Sequence, residues 1–195
     1  MIPRQKVEDT INVLLRDASA LHAKLAAGAL EPIARAAAAM TTALQAGHKI
    51  IWFGNGGSAT QSQHMAAEFV GRFCKDRKSY PSISLTENMG SVTAIANDYA
   101  YDQIFARQLE GLGMRGDVAI GLSTSGTSKN VLAGLRTARE LGLVTVGMTG
   151  ASSTAMQPLV DVCISVPSTT TARVQEAHLT IGHILCALVE DALLT

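Results

Sequence analysis

Two short stretches rich in glycine and hydroxyl groups are the first places where this sequence could do chemistry. One reads Gly54-Asn55-Gly56-Gly57-Ser58-Ala59 and the other Ser123-Thr124-Ser125-Gly126-Thr127-Ser128. Each follows a short apolar run and enters a helix-like pattern. Glycine lets a ligand come close to the backbone, and a helix start presents N–H groups that have no intrahelical partner. The second stretch adds five hydroxyls in six residues, a charge-neutral way of holding a phosphate. Either stretch alone also reads as a βα turn with good N-cap residues, but two at one crevice point to an anion. No Lys follows the glycines, which argues against a nucleotide triphosphatase. Gly54, Gly56 and Ala59 fit the dinucleotide fingerprint, yet the ribose-binding acid is misplaced. Asp76 has the spacing but precedes the second strand, and Glu87 has the location but lies too far along. A sugar phosphate ranks above a dinucleotide.

The helix leaving the glycine stretch carries His64 and Glu68, four apart and therefore on one face, with Arg72 one turn further. A His and a carboxylate so spaced can chelate a divalent metal or act as an acid/base pair. An isolated surface pair of this kind stabilises by only about 0.2–0.5 kcal/mol. The last helical stretch holds a second polar set, Gln175, Glu176, His178 and His183, among Leu179, Ile181, Ile184, Leu185 and Leu188. Glu176 and His183 are seven apart and nearly eclipse, while Gln175 and His183 are offset by roughly 80°. Spacing alone chooses neither between His178 and His183 nor between Gln175 and Glu176.

These groups need elements to position them. Apolar runs at Lys49–Phe53, Ser82–Leu85, Val118–Leu122, Val144–Met148 and Val162–Val166 read as buried strands. Helical patterns at Ser58–Phe73, Tyr101–Leu112, Lys129–Leu141 and Ala172–Leu194 alternate with them, and Val7–Leu25 and Leu30–Leu44 form two N-terminal helices. The expectation is an α/β chain: a flavodoxin-like, doubly wound, five-stranded parallel sheet with N-terminal helices. In that strand order the loops after the first and third strands face each other at the topological switch point. Without a linker or compositional break, 1–195 reads as one domain, with helices over 1–47 and the α/β core over 48–195.

Composition bounds the remaining classes. The chain has 195 residues with 16 Lys+Arg and 16 Asp+Glu, so its formal charge is zero, against a nucleic-acid partner. Charged or His residues interrupt every apolar run before the roughly 20 residues a membrane span needs, and MIPRQKVEDT has no signal-peptide core. Three scattered cysteines, Cys74, Cys163 and Cys186, suit buried thiols in a reducing cytoplasm.

The segments GNGGS (54–58), HMAAEFVGRF (64–73), TAIANDY (93–99), STSGTS (123–128) and VQEAHLTIGHIL (174–185) together resemble the bacterial phosphoheptose isomerases of the sugar-isomerase (SIS) fold. The resemblance implies an aldose–ketose isomerase taking sedoheptulose 7-phosphate to D-glycero-D-manno-heptose 7-phosphate through an enediol. It implies a homotetramer with active sites between subunits, the N-terminal helices assisting assembly. It also implies one zinc per subunit on His64, Glu68, Gln175 and His183. Asn55, Gly56, Gly57, Asn97 and Asp98 would contact the sugar phosphate, with Ser123, Thr124, Ser125 and Ser128 completing the phosphate site and Ser58 close by. Glu68 and His183 would be the catalytic pair, with Glu68 and Gln175 also touching substrate. Gln61 stands where relatives commonly have Asp, and Ala172 where some carry Asp. A non-catalytic sugar-phosphate sensor on the same fold, an isomerase of another sugar phosphate, and the regulator that binds the initiator protein DnaA are the alternatives. The last resembles this sequence in the GNG loop but lacks counterparts of Glu68 and His183.

Overall fold

The computed structural model describes residues 2–194. Two helices come first, α1 (Arg4–Gly28) and α2 (Leu30–Gln45), followed by β1 (Ile50–Gly54), α3 (Gly57–Val70) and β2 (Ser82–Ser84). Then come α4 (Met89–Asp98), α5 (Ala106–Leu112), β3 (Val118–Ser123), α6 (Lys129–Glu140), β4 (Val144–Thr149), β5 (Val162–Ser165) and α7 (Thr171–Leu194). Every strand pairing is parallel, in the order β2-β1-β3-β4-β5. This is the flavodoxin-like arrangement, with the switch point between β1 and β3.

The period of two in each strand builds two cores. Ile50 and Trp52 face one side with Val118, Ile120 and Leu122, under α2, α3 and α7. Ile51 and Phe53 face the other with Ala119, under α5 and α6. Strands covered on both faces must be apolar throughout, which is why all of β1 and β3 is buried.

Four differences from the sequence reading have physical causes. The helix α4 was not expected: none of its residues is fully buried, its short apolar stripe (Val92, Ile95, Ala96) is only half-covered against the second core, and its clearest local signal is Asn88 accepting the Ser91 amide at 3.1 Å. The helix α3 stops at Val70 rather than Phe73, so Arg72 lies beyond the face that His64 and Glu68 share. The 24-residue α7 is long and apolar enough to cross a membrane by length and composition, with a mean hydropathy of 1.4, a run that sequence reading had discounted. Its Val174, Ala177, Ile181, Leu185 and Val189 are packed into the core instead. Of the three thiols only Cys186 is buried; Cys74 is exposed.

The expected apolar stripe on α1 exists, but only Leu21 and Leu25 of it are buried. Val7, Ile11, Leu14 and Leu15 stay exposed.

Candidate active site

The loop after β1 turns on Gly56, whose φ of +55° is left-handed and favours glycine. The Ser58 amide donates to the Asn55 carbonyl and the Ala59 amide to that of Gly56, both at 2.9 Å, so the chain enters α3 without delay. Asn55 and Asn130 exchange two amide bonds of 2.8 Å, and the Tyr101 hydroxyl donates to Asn55 Oδ1 at 3.0 Å. Asn130, at the start of α6, thereby ties the glycine loop to the Ser/Thr loop. Gly56 and Gly57 are exposed, whereas Ser58 is buried with its carbonyl accepting from Ser62.

The loop after β3 bends at Gly126, again with a left-handed φ of +69°. Its hydroxyls form a local cluster: Ser123 Oγ lies 2.9 Å from Ser128 Oγ and 3.4 Å from Ser125 Oγ. The Thr127 amide and hydroxyl both donate to Ser125 Oγ, at 3.2 and 3.0 Å. Ser123 forms the buried floor, Thr124 and Ser128 are half-buried, and Ser125 is exposed. Asn97 and Asp98 close α4, bonded to each other at 2.8 Å and exposed. Asp98 also borders a cavity of about 660 Å³ between α4 and α5, with Glu87, Tyr99 and Arg107.

Helices α3 and α7 pack side by side, and Gly182 lets α7 close onto the Met65 side chain. That contact faces His64 Nε2 to His183 Nε2 at 3.0 Å, with Glu68 Oε1 at 3.4 Å from His64. One ligand atom from each of the three lies within 4.8 Å of the others. Two imidazole nitrogens and one carboxylate form a donor set that suits a divalent transition metal. Gln175 lies against the glycine loop. Its amide covers Gly57, where an added Cβ would come within 2.5 Å of Gln175 Nε2. Its Cα is eight residues from that of His183, about 12 Å of helix rise.

Burial separates the two histidines of α7 that spacing left equivalent. His178 is 1% exposed and turned into the core, its Nε2 3.3 Å from the Thr149 carbonyl and its Nδ1 without a partner. Burial pushes its pKa down to about 4, against the opposing pull of that carbonyl. Glu176 is exposed and pairs with Arg173 at 2.6 Å. His183 is therefore the histidine that meets His64. Sequence reading missed Tyr101, Asn130, Arg77 and Glu190. Asn130, two residues past the last serine of its loop, had a positional signal; the others bond across the fold and had none.

A family model for the SIS domain matches residues 15–150. The phosphoheptose isomerase of Rhodospirillum rubrum is 46% identical over 188 residues, covering 96% of this chain and 99% of the relative. Among solved structures, a phosphoheptose isomerase from Neisseria gonorrhoeae superposes with a TM-score of 0.90 at 32% identity, covering 95% of this chain and 99% of that one. One from Francisella tularensis gives 0.91 at 33% identity, over 95% of this chain and 98% of that one. With a sheet, loops and helix pair of this geometry and relatives matched along nearly their whole length, the chain belongs to the phosphoheptose isomerase family of SIS-domain proteins.

Proposed function

We infer that the chain is an aldose–ketose isomerase that converts D-sedoheptulose 7-phosphate to D-glycero-D-manno-heptose 7-phosphate in heptose biosynthesis. The observation that carries this reading is the convergence of Glu68, His64 and His183 on one point, on α3, which leaves the glycine loop, and α7, whose Gln175 lies against that loop. Asn55, Gly56, Gly57, Asn97, Asp98, Thr124, Ser125 and Ser128 hold the sugar phosphate, with Ser123 and Ser58 supporting the loops from below. Backbone amides and hydroxyls bind a phosphate without excess positive charge, which accords with a formal charge of zero.

Holding the phosphate end places C1 and C2 of the sugar at the helix pair. The Glu68 carboxylate takes the proton from C1 of the ketose, and its electron pair forms the C1–C2 double bond. His183 gives a proton to O2, producing a neutral enediol. Glu68 then returns its proton to C2 while His183 recovers one from O1, leaving the aldehyde at C1. Positioned proton transfer of this kind contributes about 10²–10⁴-fold. His64, Glu68 and His183 would hold a zinc ion, which when bound would supply a Lewis acid for the carbonyl oxygen; it would be held loosely, since a carboxylate or imidazole nitrogen gripped by a metal is not free to exchange a proton. Gln175, lying over Gly57 in its own chain, serves the substrate crevice. Gln175 of a second copy would then complete the metal set.

That requirement fits a homotetramer. The exposed Val7, Ile11, Leu14 and Leu15 of α1 offer an apolar face for assembly, so the chain acts as one domain whose first 47 residues serve the oligomer. We assign it to the cytoplasm, with neither nucleic acid nor membrane as partner. Turnover of sedoheptulose 7-phosphate followed by a coupled assay, with zinc content and solution mass measured on the same sample, tests the reading. Ligand binding without turnover or metal would favour a sensor instead. Replacing Ile11 with Asp is expected to lower the solution mass while leaving the far-UV circular dichroism per residue unchanged.

A further inference from the structure

Residues 71–81, the irregular stretch between α3 and β2, are fastened from beneath by one buried ion pair. Arg77 Nε donates to Glu190 Oε1 at 3.0 Å, with the two side chains 2% and 3% exposed. Such a pair stabilises little unless its remaining donors and acceptors are also used. Here they are. Glu190 accepts the amides of Phe73, Cys74 and Lys75 at 3.3, 2.9 and 2.9 Å. Burial pushes the Glu190 carboxyl up, but those amides and the guanidinium outweigh it and hold the group below its ordinary value. The Arg77 fork donates to the carbonyls of Phe69 at 2.9 Å, Gly71 at 3.3 Å, Lys78 at 3.0 Å and Glu68 at 2.8 Å.

Two of these links end on the backbone beside a reacting group, at Glu68 and Phe69. The carbonyls of Glu68 and Phe69 belong to the last turn of α3, where no intrahelical N–H is left to meet them and a cation is favoured. Arg77 thus fixes the backbone that carries the Glu68 side chain. On the other helix, Glu190 lies seven residues beyond His183, two turns along the same face. The strap anchored on Glu190 lays the Phe73 ring against the His183 imidazole, with centroids 5.6 Å apart and planes at 30°.

We propose that Phe73, Arg77 and Glu190 are positioning residues, which hold the Glu68 carboxylate and the His183 imidazole in register through the 71–81 strap. This rests on the reading of Glu68 and His183 as the acid/base pair. None of the three touches the substrate. Their effect falls on proton transfer, and the phosphate loops, built from other elements, are left alone.

Phe73→Leu keeps an apolar, half-buried side chain and removes the ring contact. It is expected to lower kcat about tenfold, with KM for the ketose phosphate within about twofold of the wild type, because small displacements at the reacting atoms cost rate. Zinc affinity, read by competition with a chromogenic chelator, should weaken. Arg77→Lys keeps a charge for Glu190 but loses the forked donation to Glu68 and Phe69, and should show the same split with a lower Tm. A strap with only a structural role would lower Tm and leave kcat, KM and zinc affinity unchanged, and that result overturns the proposal. If Arg77→Lys does not fold, Phe73→Leu decides. Failure of the wild type to turn over the ketose would fall on the functional reading. Zinc affinity of Phe73→Leu against wild type would then judge the strap, with equal affinity, or no binding to either, overturning it.

Discussion

The Ser/Thr loop satisfies its hydroxyls largely among neighbours in sequence, whereas the His64 and His183 imidazoles that meet at 3.0 Å are 119 residues apart. Ser123, Ser125, Thr127 and Ser128 bond to one another before any ligand arrives, and the bend at Gly126 is a local property of the chain. The second region exists only because α3 and α7 pack closely enough for Gly182 to meet Met65. A preformed loop costs little to order and suits the unchanging phosphate. A helix-borne pair suits proton transfer, where direction matters most and rigid elements hold groups accurately.

That contrast is most sharply tested at Glu68. Glu68→Gln is expected to lower kcat by about 10²–10⁴-fold with KM and Tm near the wild-type values, since it removes the base and leaves the loops intact. Full activity in a folded Glu68→Gln protein would end its assignment as base.

The next effect concerns His178, the α7 histidine that serves packing and no reaction. Its pKa falls from 6.5 in the unfolded chain to about 4 in the folded one. Between these values the unfolded state binds a proton that the folded state refuses, so stability is complete above pH 6.5 and is lost as pH falls toward 4. The loss amounts to roughly 3 kcal/mol by pH 4. Urea unfolding across this range should show that fall in the wild type, and a folded His178→Gln protein should show a flatter one. Identical pH dependence in both would assign the loss to other groups.

Ser125→Ala should give the smallest change, and one of opposite kind to Glu68→Gln. Ser125 is exposed and, among the described residues, bonds within its own loop, so Tm should hold. Loss of one hydrogen bond to a charged phosphate should lower kcat/KM about tenfold, mainly through KM. A fall confined to kcat would erase the distinction between the two regions.

How far the sequence could be read follows the same division. All five strands were legible within a residue or so, because a strand buried on both faces must be continuously apolar. Their flavodoxin-like order was suggested by five strands on a chain of this length, and the sheet has it. The helix α4 was not legible, since its apolar stripe is only three residues long (Val92, Ile95, Ala96) and none of its residues is fully buried. The α1 stripe was read correctly as helical, but nothing in its spacing reveals that Val7 to Leu15 find no cover within the chain. Spacing also left His178 and His183 equivalent. Burial separated them, because only the fold determines which face of α7 meets Thr149 and which meets His64.

The sequence by itself determined the parallel sheet, the two hydroxyl- and glycine-rich loops and the presence of a His/Glu face on α3, for each is encoded within a few consecutive residues. Only the tertiary structure decided that His183 joins that face, that Gln175 lies over Gly57, and that Arg77 and Glu190 fasten the strap beside them. The physical reason is that these contacts arise from the packing of α3 against α7, which fixes side chains more than a hundred positions apart and leaves no periodicity in either segment.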